Sequence, residues 1–106
     1  MGVRVYVDYQ GNRIRLTQER LAHILEHRAM RGMESKIAET LARPQQVVES
    51  LSDAQARLYY RFYIGTRVGN KYLCVVVKVI GTDAFVVTAY LTDKVKKGRQ
   101  LWPREK

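Results

Sequence analysis

The chain has 106 residues, of which 46% are hydrophobic and 27% are charged, and its formal net charge at pH 7 is +9. This length and composition predict one domain, residues 1–106, with a single hydrophobic core that needs no disulfide or metal to hold it. The absence of a long apolar run argues against a membrane-spanning protein, and the excess of positive charge favours a polyanionic partner over a membrane surface.

The only cysteine is Cys74, so an intramolecular disulfide is excluded. The first residues show no positively charged segment followed by a long apolar one, which is the pattern of a secretory signal. A cytoplasmic protein is therefore the expectation.

Two short strands are predicted at the start of the chain. In "VRVYV", valines at positions 3, 5 and 7 alternate with polar residues, which is the pattern of a half-buried strand. The "QGN" segment is a turn signal, and "RIRLT" is the predicted return strand.

Two helices are predicted next. Thr17 is a candidate N-cap for a helix from about residue 18 to about residue 29. The apolar stripe of this helix is Leu21, Ile24 and Leu25. A second helix is predicted at 34–41 and ends before Pro44, because a residue that precedes proline avoids helical geometry.

The second half of the chain predicts a sheet. "QQVVES" is either a strand or an extended connection, and three strands follow at 57–64, 72–80 and 84–91. We therefore expect an α+β fold in which N-terminal helices pack on one face of an antiparallel sheet of about four strands. A basic tail, at about 94–106, follows the sheet.

Alternation along the three strands predicts which side chains share a face. The expected core face carries Leu58, Tyr60, Phe62, Ile64, Leu73, Val75, Val77, Val79, Phe85, Val87, Ala89 and Leu91. The opposite, open face is expected to carry Arg57, Tyr59, Arg61, Tyr63, Lys78, Thr88 and Tyr90.

Cations, phenols and a hydroxyl on one sheet surface could bind RNA. Arg61 and Lys78 would contact a phosphate, and the tyrosines would stack on bases. A solvated sheet face without a ligand is the alternative, since antiparallel sheets often have one wet side. The position of Lys78 argues against the solvated face, because a lysine among apolar neighbours in a central strand needs an anionic partner or a groove.

Two histidines on the first predicted helix are candidates for proton transfer. His23 and His27 are four residues apart and so would be neighbours on one side of the helix, with Glu26 beside His27. The alternative is two surface histidines without a task. Without an HExxH motif or a second cysteine, the sequence predicts no metal and no cofactor.

The order of several motifs resembles a known group of proteins. The motifs are "HILEHR", "IAETLARPQQVVES", "YYRFY", "YLCVVVKV", "FVVTAYLT" and "KKG". Over about residues 19–98 they resemble the phage-associated branch of the superfamily of metal-independent ribonucleases that includes barnase, EndoU, colicin and RelE.

The resemblance implies N-terminal helices on a four-stranded antiparallel sheet. It also implies RNA cleavage by attack of the ribose 2′-hydroxyl on the adjacent phosphate, which yields a 2′,3′-cyclic phosphate. The catalytic residues carried over are His23, Arg61, Lys78, Thr88 and Tyr90. The relatives often read "HIxxRHP" where this chain reads "HILEHRAM", so His27 falls outside the pattern.

The leading hypothesis is thus a metal-independent endoribonuclease, acting as a toxin or phage-derived effector. Its further candidates for substrate binding are Arg57, Tyr59, Tyr63, Lys96 and Lys97, with His27 and Glu26 as additional site residues. One alternative is a non-catalytic RNA- or DNA-binding module that uses the same face. The other is a basic interaction protein that docks an acidic partner, such as an antitoxin or immunity protein.

Overall fold

The computed structural model describes residues 2–104 and contains seven strands and two α-helices. The strands are β1 (Val3–Val7), β2 (Arg13–Thr17), β3 (Gln46–Ser50), β4 (Ala56–Thr66), β5 (Gly69–Ile80), β6 (Asp83–Thr92) and β7 (Gly98–Trp102). The helices are α1 (Gln18–Leu25) and α2 (Glu34–Ala42), with one 3₁₀ turn, Arg28–Met30, between them.

All seven strands form one mixed sheet in the order β1-β2-β6-β5-β4-β3-β7. Most neighbours are antiparallel, but β2 lies parallel to β6, with Arg15 opposite Phe85. The expected antiparallel sheet of about four strands is therefore wrong. The hairpin β1–β2 belongs to the same sheet as the later strands. Residues of the predicted basic tail form the edge strand β7. The helices consequently lie between strands and not at the N-terminus.

The first helix begins where the sequence predicts. The Thr17 hydroxyl accepts a hydrogen bond from the backbone N–H of Arg20 at 3.1 Å and so caps α1. The helix ends at Leu25 and not near residue 29, because the chain tightens into the 3₁₀ turn. Helix α2 closely matches its prediction.

Both helices pack on one side of the sheet, here called the helix face. The main core lies between the helices and the sheet and contains side chains from both. Its most buried members include Ile14, Leu16, Leu21, Ile24, Ile37, Leu41, Val47, Tyr59, Leu73, Val75 and Val77. The predicted packing of β5 valines on Leu21 and Ile24 is confirmed.

The other side of the sheet, here called the far face, has a smaller apolar cluster. Its buried members are Val48, Leu58, Tyr60 and Cys74, and Val95 packs over them from the segment that joins β6 to β7. Part of the far face is thus covered by the chain itself, and the rest is open to solvent.

A bulge in β6 changes the predicted faces of that strand. Val75 pairs with Ala89 and Val76 with Thr88, but Val77 pairs with Val86, so Val87 is the extra residue. Beyond the bulge, Ala84 and Val86 face the helices, and Phe85 turns to the far face. The core positions expected for Phe85 and Val87 are therefore wrong, whereas Thr88 and Tyr90 do share a face with Lys78.

The prediction for β4 is reversed. Tyr59 and Tyr63 belong to the main core on the helix face, whereas Leu58 and Tyr60 belong to the far-face cluster. The helix-face set also contains Arg57 and Arg61, so alternation favoured the more apolar far-face set as the core side. The core positions expected for Phe62 and Ile64 are also wrong, since both are exposed.

Neither helix within residues 2–104 is long and apolar enough to cross a membrane. The end of the predicted basic tail, Glu105 and Lys106, lies outside the described residues.

Candidate nucleic-acid interface

Lys78 has an anionic partner within the chain. Its Nζ atom lies 3.1 Å from Oδ2 of Asp53, and the side chains are 34% and 38% exposed, respectively. Asp53 belongs to the connection between β3 and β4 and also accepts a hydrogen bond from the backbone N–H of Gln55. This backbone hydrogen bond, followed by the one from Lys78, lowers the pKa of Asp53. The carboxylate is consequently charged at neutral pH and occupies the position proposed for a phosphate.

A groove of about 510 Å³ lies beside this ion pair on the far face. Leu58 and Val76 form its floor with Thr88 and Tyr90. The β3–β4 connection, with Ser50, Ser52 and Asp53, forms one wall, and Lys96 and Lys97 form the other. This cavity is called the lysine groove below. It brings together four residues predicted from the sequence: Thr88, Tyr90, Lys96 and Lys97.

Tyr90 is fixed in the groove by packing and by its neighbours. It pairs across the sheet with Cys74, which in turn pairs with Tyr60. The Tyr60 hydroxyl accepts a hydrogen bond from the backbone N–H of Lys96 at 3.1 Å, and the Lys96 ammonium lies 5.8 Å from the centre of the Tyr90 ring. The network therefore holds a cation over an aromatic ring at the groove wall.

Burial controls the protonation of this network. Burial, with the Cys74 sulfur as the next cause, raises the pKa of Tyr90. Burial also raises the pKa of the Cys74 thiol and of the Tyr60 phenol. All three groups are thus neutral near pH 7, and Tyr90 can donate a hydrogen bond but does not act as a base.

Arg61 lies on the helix face, away from Lys78. Its Nη1 donates to the backbone oxygen of Arg43 at 2.8 Å, and its Nε lies 3.8 Å from Glu39 on α2. These contacts tie β4 to the end of α2. The expected meeting of Arg61 with Lys78, Thr88 and Tyr90 on one face is therefore wrong.

Tyr59 and Tyr63 are core residues and do not present their rings to a ligand. The Tyr63 hydroxyl donates to Glu39 at 2.7 Å, and burial raises the pKa of Tyr63 to about 12. The Tyr59 hydroxyl donates to the buried Asp8 at 2.7 Å. Burial, with this hydrogen bond as the next cause, raises the pKa of Tyr59. Both phenols anchor the sheet to the elements packed on it.

The helix residues predicted for proton transfer lie on the helix side of the sheet. His23 is exposed on α1, and its Nδ1 lies 3.1 Å from Glu26, which is also exposed. His27 follows the end of α1 and is exposed too. A shallow cavity beside His23 is lined by α1 and by Thr17, not by any residue of the lysine groove. The structure does not bring His23 together with Lys78, Thr88 and Tyr90.

Arg57 lies on the helix face, in register with Val77 on β5 and Glu49 on β3. It lines a second cavity, of about 480 Å³, together with Tyr9, Arg99 and Arg104. This cavity is called the arginine trough below. It is separated from the lysine groove by the thickness of the sheet.

The sequence did not identify Asp53 or the arginine trough. The turn-forming "LSDAQ" segment could have indicated that a polar loop borders the sheet. The contact of Asp53 with Lys78, however, depends on the path of the β3–β4 connection. The sequence predicts that Arg99 belongs to a basic tail, whereas the structure places it in the edge strand β7. Within residues 2–104, no group of three histidine, cysteine or acidic side chains is arranged to hold a metal ion.

Comparison of the chain with protein-family models, with curated proteins and with solved structures finds no match. The resemblance to metal-independent ribonucleases therefore stays a prediction that depends on the sequence motifs alone.

Proposed function

We propose that this protein is an RNA-binding module that holds single-stranded RNA in the lysine groove. One observation carries the proposal: Thr88, Tyr90, Lys96 and Lys97 line the same open cavity. The net charge of +9 supplies a general attraction for a polyanion.

The groove offers a separate contact for each part of a nucleotide. Lys96 and Lys97 are exposed and can neutralise phosphates. Tyr90 and the apolar floor at Leu58 and Val76 can pack against a base. The hydroxyl of Thr88 can hydrogen-bond to phosphate or ribose.

Lys78 adds to this surface through its contact with Asp53. The pair is about one-third exposed on each side, so solvent screens the attraction and the contact contributes little free energy. A phosphate that enters the groove can therefore displace Asp53 from the ammonium at little cost.

Binding is favoured over cleavage because no histidine among residues 2–104 lines the groove, and its carboxylate, Asp53, is engaged by Lys78. Both histidines of the chain belong to the helix side, and Tyr90 is held protonated. Arg61, the expected partner of Lys78 at a phosphate, is engaged with α2. RNA cleavage stays a prediction, as does docking of an acidic antitoxin or immunity protein.

The test is fluorescence anisotropy of a labelled single-stranded RNA over a series of salt concentrations. The double variant Lys96→Gln/Lys97→Gln removes two cations from the groove, and Arg20→Gln/Arg28→Gln removes two exposed cations from the helix side as a matched control. Loss of two phosphate contacts should make the slope of log affinity against log salt shallower by about 1.4.

The proposal fails if the groove variant and the control bind RNA equally well. The same protein is also incubated with total RNA in EDTA and analysed on a gel. Intact, retarded RNA is the expected result, whereas fragments with 2′,3′-cyclic phosphate ends would show a ribonuclease.

A further inference from the structure

The arginine trough contains more positive than negative charge. Arg57, Arg99 and Arg104 line it, and Glu49 lies beside them on β3. The three residues Arg57, Glu49 and Arg99 form a row across β4, β3 and β7, since Glu49 pairs in register with both arginines.

Glu49 is already occupied by one of its two neighbours. Nε and Nη2 of Arg99 each donate to a Glu49 carboxylate oxygen at 3.1 Å. Arg57 is half-buried, and it forms no ion pair with any residue between positions 2 and 104. A cation that is partly removed from water without a carboxylate favours an anionic ligand.

Asp8, the buried acid that binds Tyr59, forms no ion pair with Arg57. Asp8 is buried behind Tyr59, and its oxygens accept hydrogen bonds from the Tyr59 hydroxyl and from the backbone N–H groups of Gln10 and Asn12. Three guanidinium groups thus line the trough, and the carboxylate beside it, Glu49, is held by Arg99. Arginine suits a phosphate in such a place because its planar group forms two parallel hydrogen bonds.

Tyr9 lines the same trough, and Trp102 packs against Tyr9. The Tyr9 ring lies 5.2 Å from the Trp102 ring, tilted by 46°, and Trp102 is 38% exposed. An exposed aromatic side chain beside arginines offers a stacking surface for a base.

The edge strand β7 lies between the trough on the helix face and the lysine groove on the far face. Lys96 and Lys97 immediately precede the edge strand β7, whose Arg99 side chain lies at the trough. Gly98, the first residue of β7, pairs with Ser50, which lines the groove. A path of positive charge therefore leads from the far face round β7 to the helix face.

We propose that single-stranded RNA bound in the lysine groove passes round the β7 edge and places further phosphates in the arginine trough. This inference rests on the proposed function. It assigns to the trough the phosphodiester backbone as ligand, with Arg57 and Arg104 as its unpaired binding cations among the described residues.

The experiment compares RNA oligonucleotides of about 4 and about 12 nucleotides, lengths that bracket the usual footprint of a small single-strand-binding domain. The variants are Arg104→Gln and Arg57→Gln, each checked for folding by thermal denaturation. Arg104→Gln is the decisive variant because its side chain is exposed and its loss leaves the core unchanged. Arg20→Gln on α1 is the matched control.

Both trough variants should weaken binding of the long RNA severalfold and leave binding of the short RNA unchanged. The Lys96→Gln/Lys97→Gln variant should weaken binding of both. If the groove variant weakens binding but Arg104→Gln binds the long RNA like Arg20→Gln, the path round β7 is wrong and the proposed function stands. If the groove variant does not affect either RNA, the proposed function fails as well.

Discussion

The Lys78 ammonium and the Asp53 carboxylate lie 3.1 Å apart on the side of the sheet that the helices leave uncovered. This contact explains how a central, mostly apolar strand contains a lysine. The aliphatic stem packs on the sheet, and the charged end meets a carboxylate at the rim of an open groove. It also makes Asp53 a competitor of any phosphate that enters.

Removal of this competitor should strengthen RNA binding. In Asp53→Asn, Lys78 is released for a phosphate, so we expect tighter binding and a slope of log affinity against log salt that is steeper by about 0.7. The measurement is the same salt series by fluorescence anisotropy. Glu26→Gln, which removes one exposed carboxylate on α1, is the control for net charge. Equal gains in the two variants would exclude a specific role of Asp53.

Neutralisation of Lys78 should leave the fold intact. Because the ion pair is partly exposed, Lys78→Met should change the free energy of unfolding by no more than about 1 kcal/mol, in either direction. Urea denaturation measures this change, and RNA affinity should fall in the same variant. Unfolding of Lys78→Met would mark the lysine as a structural residue.

Truncation of side chains in the main core should lower the free energy of unfolding far more. Ile37 is fully buried between α2 and the sheet, so Ile37→Ala should lower the free energy of unfolding by about 2–5 kcal/mol. Val5 on the edge strand β1 is 43% exposed, and Val5→Ala should cost much less. The two values come from parallel urea titrations. Similar losses in both variants would contradict the assignment of the helix face as the main core.

High pH should destabilise the protein through its buried phenols. Burial raises the pKa of Tyr63 from 10.0 to about 12, and the pKa values of Tyr59, Tyr60 and Tyr90 are raised as well. A raised pKa in the folded state means that the contribution to stability is complete below pH 10 and is lost as pH rises from 10 towards 12. Absorbance titration should show delayed tyrosinate formation in the folded protein but not in urea.

Tyr63→Phe tests that interpretation. This variant lacks one phenol with a raised pKa, so its free energy of unfolding should fall less steeply between pH 10 and 12. An unchanged profile would contradict the role of Tyr63.

Cys74 should be unreactive in the native protein. It is fully buried in the far-face cluster, and burial raises the pKa of its thiol. A thiol reagent whose reaction is followed by absorbance should modify Cys74 slowly at neutral pH and rapidly in denaturant. Ser35→Cys, at an exposed position of α2, provides the fast reference. Equally fast labelling of both cysteines in native conditions would mean that the far-face cluster opens readily.

The local elements were largely determined by the sequence. Alternating valines, the "QGN" turn and the Thr17 cap predicted the first hairpin and the start of α1. The strands β4, β5 and β6 were recognised from their β-branched and aromatic residues. These signals are local, because they depend on backbone preference and on residues a few positions apart.

The composition of the candidate site was only partly predictable. Lys78, Thr88 and Tyr90 share a face as expected, since β5 and β6 form a hairpin whose pairing brings them together. The inclusion of Arg61 was wrong because β4 has aromatic residues on both of its faces. The packing of Tyr59 and Tyr63 in the main core and the hydrogen bond of Tyr63 to Glu39 on α2 show which of these faces meets the helices.

The arrangement of the sheet was decided by the tertiary structure alone. The parallel contact between β2 and β6 and the pairing of β7 with β3 join segments that are distant in sequence. The bulge at Val87 shifts the register of β6 by one residue. Such contacts leave no periodic signal, because they form only where burial of the two apolar faces outweighs the cost of closing the intervening chain. The sequence by itself determined the strands, the helix cap and the excess of positive charge, whereas the pairing of strands decided which cations lie in the lysine groove and which lie in the arginine trough.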